Sequence, residues 1–199
     1  MLTVALAAAP MAAVSLASLW LPIVLSSVAV FVLASLMWMV VGHHAKDWVK
    51  LPNEDAVMAA LRGQCPEGGQ YVFPATDDCK DMNKPEFQAK YAQGPAGYLF
   101  VRKPAPFTMT PMLVQSIVFY LVVSTLVAWL TTMALHDGAG RGRVFHVVGL
   151  ATWLAYAAGQ TWSVIWIGTS WSHTLRCMFD CVLYAAATGG IFAWRWPAA

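Results

Sequence analysis

The chain has 199 residues, 59% of them apolar and only 11% charged, against roughly 25% charged in a typical soluble domain. With ten tryptophans as well, it has too little polar surface for a soluble globule and reads as a membrane protein. Its length excludes a large soluble catalytic domain, and a net charge of +2 offers no basis for nucleic-acid binding.

A bilayer core about 30 Å thick needs roughly 20 apolar residues in a helix. Four stretches meet that length, and the expected fold is an all-α membrane protein with four transmembrane helices. Residues 1–15 form an apolar N-terminal segment that either lies along the interface or is disordered. The first span is 16–42. The first basic residue is Lys46, so a charged n-region is missing and the span reads as a retained anchor rather than a signal peptide. Pro22 either kinks it or sits near its first turn. The other spans are expected at 112–135, 144–168 and 175–195.

Between the first two spans, residues 43–111 carry eight of the twelve basic and eight of the ten acidic residues. This segment is expected to be a small α+β extramembrane cap. Asn53 caps a helix that Arg62 and Gly63 close, with Glu54 and Asp55 suiting its positive end. A second helix runs from Pro85 to about Ala92, stopped by Gly94-Pro95. Gln70–Phe73 and Gly97–Val101 read as short strands. The core of such a cap is thin, so it is expected to lean on headgroups or a partner. The basic residues point both ways on its side of the membrane. Arg141, Arg143 and Arg195 favour a cytoplasmic location for the opposite face, while Lys46, Lys50, Arg102, Lys103 and Arg176 favour the cap's own.

The fourth span opens with a run of ionisable residues. His173, Arg176, Cys177, Asp180 and Cys181 recur at i, i+3, i+4, i+7 and i+8, which is one helical face. Ionisable groups in a span cost at least ~2.5 kcal/mol at the bilayer centre and mark functional sites. Asp180 is only ~7.5 Å into its span, so a structural pair with Arg176 competes with a functional reading. Tyr120, Tyr156 and Gln160 belong to a polar stripe on the second and third spans. It reads either as bundle glue or as the lining of a small-ligand cavity.

His43, His44 and Asp47, just past the first span, offer imidazole and carboxylate ligands for zinc or iron. Their spacing matches no HxxxH or HExxH motif, and an interfacial polar cap is the competing reading. His136, His146 and His173 lie near span ends, which disfavours a b-type haem bundle, and no cofactor is otherwise indicated. Cys65 and Cys79 would form a disulfide if the cap faces an oxidising compartment. Cys177 and Cys181, one turn apart on a helix, are poorly placed to bond. Trp38, Trp162, Trp166 and Trp171 fall toward the cap side and Trp129, Trp194 and Trp196 toward the other, a two-belt pattern of interfacial anchoring.

The stretches HHAKDWVKLPNEDAVMAALRGQ (43–64), QYVFP (70–74), GPAGYL (94–99) and WSHTLRCMFD (171–180) resemble a recurrent group of small uncharacterised bacterial four-helix proteins. The resemblance implies a multi-pass protein of the bacterial inner membrane and brings no catalytic residue with it. With no recognisable catalytic constellation, the expected role is a non-catalytic accessory or interaction subunit of a larger membrane complex. Its partners would be the lipid bilayer and other membrane subunits or further copies of itself, and no nucleic acid. The alternative is a small oligomeric transporter or membrane-embedded enzyme using the face of His173, Arg176 and Asp180.

Overall fold

The computed structural model describes residues 13–198, so the N-terminal segment expected along the interface lies largely outside the described residues. A 3-10 turn, Leu16–Leu19, leads into α1 (Trp20–Leu36). Its N-cap Ser15 accepts a hydrogen bond from the Ser18 amide. Pro22 sits in the first turn of α1, where a missing amide costs nothing. A π turn, Met37–Val41, widens the end of α1 and stops at Gly42, whose φ of 68° lies in the left-handed region. That conformation suits glycine, and it folds the following residues back over the helix end.

The cap follows. It comprises α2 (Glu54–Gln64), strand β1 (Gly69–Phe73), a 3-10 turn (Cys79–Asn83), α3 (Pro85–Gln93) and strand β2 (Gly97–Val101). The strands pair antiparallel, Gly69 opposite Val101 and Phe73 opposite Gly97. Gly68 has φ +70°, and a Cβ there would meet the Lys103 nitrogen at 2.8 Å, so the chain crosses β2 at a point only glycine fits. From residue 48 to residue 109 only Cys65 is buried, so the cap has almost no core of its own. Its sheet instead faces Trp162 and Trp166 across a groove.

Among the described residues, three helices are long and apolar enough to cross a membrane: the α1 segment Leu16–Val41, α4 (Thr110–Ala134) and α7 (Trp171–Arg195). The third expected span differs. α5 (Arg141–Ala157) gives way to a two-residue turn, Ala158 and Gly159, whose dihedrals stay in the right-handed helical region, and the chain continues as the single turn α6 (Gln160–Trp162) and a second π turn, Ser163–Ile167. Gly159 within the turn and the polar Gln160, Thr161 and Ser163 after it weaken the helix where hydropathy alone saw one run.

α5 packs most extensively on α7, and α1 packs against both α7 and α4. The α5–α7 crossing is closest at Gly189, where a Cβ would lie 2.8 Å from the Phe145 carbonyl oxygen, and at Gly149, where it would lie 3.6 Å from the Ala185 carbonyl oxygen. Small residues let the backbones approach where lipid supplies no hydrophobic drive. Gly159 and Gly190 meet no such neighbour. Val14, Leu19, Val127, Val144, Val148 and Phe192 fill the core at the end away from the cap. Buried hydroxyls turn back on their own helices: Ser26 donates to the Pro22 carbonyl at 2.6 Å, Thr131 to Val127 at 2.6 Å and Thr152 to Val148 at 2.8 Å. Ser27 donates across to the Tyr120 carbonyl of α4 at 3.2 Å. Val24, Val28 and Val32 on α1 and Val118, Val122 and Leu126 on α4 face outward, as lipid contact requires.

Candidate functional site

The two ionisable groups that the sequence separates by more than a hundred residues form one cluster. Each is delivered by a π turn that ends in a left-handed glycine, Gly42 after α1 and Gly168 before α7. Such turns recur at functional sites because they re-aim the side chains around them. After Gly42, turn bonds from the Ala45 amide to Gly42 O (3.0 Å) and from the Asp47 amide to His44 O (3.0 Å) bring Asp47 over the His44 ring. Trp38 lies flat against that ring, centroids 4.0 Å apart and planes 7° from parallel. After Gly168, Ser170 caps α7 by accepting from the His173 amide at 3.2 Å. The capped register turns His173, Arg176 and Asp180 toward the same loop.

Asp47 is the hub of one half. Its side chain is 1% exposed and takes three partners: Arg176, which donates to Oδ1, His44 Nδ1 at 2.6 Å and His173 Nδ1 at 2.8 Å, both at Oδ2. Arg176 also donates to Ser172 Oγ at 2.7 Å. A buried carboxylate is tolerable only when paired and hydrogen-bonded in this way.

Asp180, 2% exposed, is the hub of the other half and is only half satisfied. Its Oδ2 lies 2.9 Å from His44 Nε2. Its Oδ1 approaches His43 Nε2 at 3.0 Å, yet the angles make no hydrogen bond, and Oδ1 and both His43 ring nitrogens are buried without partners. His44 thus has a carboxylate at each ring nitrogen. Neutral imidazole has one N–H, so in that form the ring can donate to only one of the two.

Ligand atoms of His43, His44 and Asp180 all lie within 4.8 Å of one another, as do those of His44, His173 and Cys177. The two sets share His44. In both, Asp47 takes Nδ1 of the histidine it touches, His44 and in the second set also His173, leaving Nε2 toward the site, and in the second Cys177 Sγ stands 3.6 Å from His173 Nε2. Asp47, grouped with His43 and His44 by sequence, stands behind His44 on the side away from Asp180. It occupies the place of a carboxylate that orients a ligand histidine.

Tyr120, Tyr156 and Gln160 are gathered around one cavity beside this cluster, which Trp38, Cys177, Asp180 and Tyr184 also line. Trp38 and Tyr184 were not singled out by sequence as site residues, because each reads as an ordinary apolar or interfacial side chain. The glycines at 42 and 168 were the available signal that the flanking residues turn back on the helix ends. Cys65 and Cys79 are both free, Cys65 buried at the end of α2 and Cys79 exposed at the start of the 3-10 turn. No family model, no curated protein and no solved structure matches this chain.

Proposed function

We propose that this is a multi-pass membrane protein, with α5 and α6 completing a fourth crossing, that binds a divalent transition-metal ion through His43, His44 and Asp180. The observation that carries this reading is the unpartnered Asp180 Oδ1 facing an unpartnered His43 Nε2 at 3.0 Å, with His44 Nε2 2.9 Å from the other carboxylate oxygen. Buried polar atoms without partners are costly, and one ion would satisfy Asp180 Oδ1 and His43 Nε2 together. Tetrahedral ligands at 2.0–2.1 Å stand roughly 3.3 Å apart, so little movement is needed. Two imidazoles and a carboxylate suit zinc, iron or cobalt rather than magnesium or calcium. Asp47, itself fixed by Arg176 and His173, would hold the His44 tautomer that turns Nε2 toward the ion.

Three protein ligands leave a coordination position open, the arrangement of a Lewis-acid or water-activating centre rather than of a purely structural one. This favours an enzyme or carrier working at the polar face of α7. The resemblance of residues 43–64 and 171–180 to bacterial inner-membrane proteins supports that membrane as its location. The test is metal uptake by detergent-purified, chelator-stripped protein. Cobalt(II) should bind one ion per chain with visible ligand-field bands and be displaced by zinc(II), while Asp180→Asn and His44→Ala lose the bands. Absence of stoichiometric uptake, or equal uptake by both variants, would overturn the reading.

The nearly coreless cap favours a second reading, an accessory subunit in a larger assembly, since a cap with one buried residue between 48 and 109 gains stability from a covering partner. Gentle extraction followed by sizing and mass spectrometry would show stoichiometric larger subunits in that case, and the chain alone or self-associated otherwise.

A further inference from the structure

Beside the metal ligands, a cavity of about 260 Å³ lies among all four hydrophobic segments. α1 contributes Ala34, the following π turn Trp38, α4 Phe119 and Tyr120, and α7 Asp180 and Tyr184, while Ala155, Tyr156 and Gln160 close it from α5 and α6. Its walls are largely aromatic, with the free thiols of Cys177 and Cys181 completing the α7 side. Tyr156 meets Phe119, Tyr120 and Tyr184 edge to face, at centroid distances of 5.8, 6.1 and 5.9 Å. The Tyr156 hydroxyl is buried and has no hydrogen-bond partner among the described residues, although buried phenols ordinarily find one. Phe119 and Trp38 both line the cavity and are half exposed, at 51% and 45%, so the space reaches the outer surface of the bundle.

These features define the occupant. The unpartnered phenol donates, so the occupant accepts. The Asp180 carboxylate on the wall disfavours an anion. Flat aromatic faces and a volume below the roughly 300–1,000 Å³ of drug-sized pockets suit one planar ring system, with any tail left outside. An opening beside Phe119 suits a molecule arriving from the bilayer. We infer that the cavity binds the planar, neutral, carbonyl-bearing head of a lipid-soluble molecule of the quinone class, with the Tyr156 hydroxyl donating to a carbonyl oxygen. This deepens the metal-centre reading, because Asp180 belongs to both sites and the bound head would stand beside the open side of the ion. The binding itself uses no metal.

Isothermal titration of the detergent-purified protein with 2,3-dimethyl-1,4-naphthoquinone, whose substituted ring has no open position for the free thiols to add to, tests this, with 2,3-dimethylnaphthalene as the carbonyl-free control. The quinone should bind saturably at one site per chain, at least about ten-fold more tightly than the hydrocarbon. Tyr156→Phe removes one hydrogen bond and should weaken quinone binding about five-fold while leaving the hydrocarbon unchanged. Ala155→Phe fills the cavity and should abolish both. Equal affinity for the two probes, or an unchanged quinone affinity in Tyr156→Phe, would overturn the inference. Cobalt(II) uptake measured on the same variants separates the two proposals. Loss of quinone selectivity with metal uptake intact sinks the cavity assignment alone, and quinone binding without metal uptake sinks the metal centre alone.

Discussion

His44 Nε2 stands 2.9 Å from Asp180 Oδ2 although 136 residues separate them. This contact joins the turn after the first span to the third turn of the last one. It makes a single polar centre out of two groups that, taken apart, look like an interfacial cap and a snorkelling ion pair. The remaining geometry follows from it, with Asp47 behind His44, His43 across Asp180 and the aromatic cavity beside them.

The role of Asp47 is separable from that of a ligand. Asp47→Asn retains the volume and a hydrogen-bond acceptor but removes the charge that holds His44, His173 and Arg176. Cobalt(II) affinity should fall about 10–100-fold while the stoichiometry stays at one ion per chain. Removal of a true ligand, as in Asp180→Asn, should instead change the ligand-field spectrum itself.

Metal binding should be acid-sensitive, and the sign follows from the proton count. An ion needs a deprotonated nitrogen and a deprotonated carboxylate, so protons compete with it for the same atoms. Zinc(II) added to weakly buffered protein should therefore release protons, and apparent affinity should rise with pH. A pH-stat titration against a matched Asp180→Asn sample measures both.

The α5–α7 crossing should distinguish two adjacent glycines. At Gly189 a Cβ would meet the Phe145 carbonyl oxygen at 2.8 Å, whereas at Gly190 it would meet nothing within 4 Å. Gly189→Ala should destabilise the bundle by about 1–3 kcal/mol through overpacking against backbone. Gly190→Ala should be neutral or slightly stabilising because alanine is the better helix former. Thermal unfolding in detergent would show the contrast, and equal effects at the two positions would contradict the crossing.

The cap should fail on its own when its tight turn is altered. Gly68 combines φ +70° with a 2.8 Å approach to the Lys103 backbone nitrogen, so Gly68→Ala should cost about 1–3 kcal/mol in backbone strain. With so thin a core the cap has little to spare. Limited proteolysis should cut between residues 64 and 104 faster than in the parent chain, with metal uptake at the bundle unchanged.

Much of the architecture was legible in the residues. The strands around Tyr71 and Leu99, the helices after Asn53 and Pro85, and the long apolar helices α1, α4 and α7 all carry local signals: alternation, capping residues, or uninterrupted apolar length. Average hydropathy over 144–168 does not register the turn at residues 158–159 or the π turn that follows it. The site was legible only in pieces. The helical face of His173, Arg176 and Asp180 follows from spacing, and His43, His44 and Asp47 stand out by composition. Nothing local says that one histidine bridges the two groups.

The sequence by itself determined which segments seek the bilayer and where the charged cap is inserted. Hydropathy and backbone hydrogen-bond satisfaction are summed locally along the chain and depend little on distant residues. Only the tertiary structure decided that His44 is held between Asp47 and Asp180, that Asp47 stands behind the histidine, and that Tyr156 faces a cavity with its hydroxyl unpaired. Those relations depend on how the π turns ending at Gly42 and Gly168 aim two loops at each other, and on how closely Gly189 lets α5 approach α7. Both are long-range consequences of packing that no window of sequence contains.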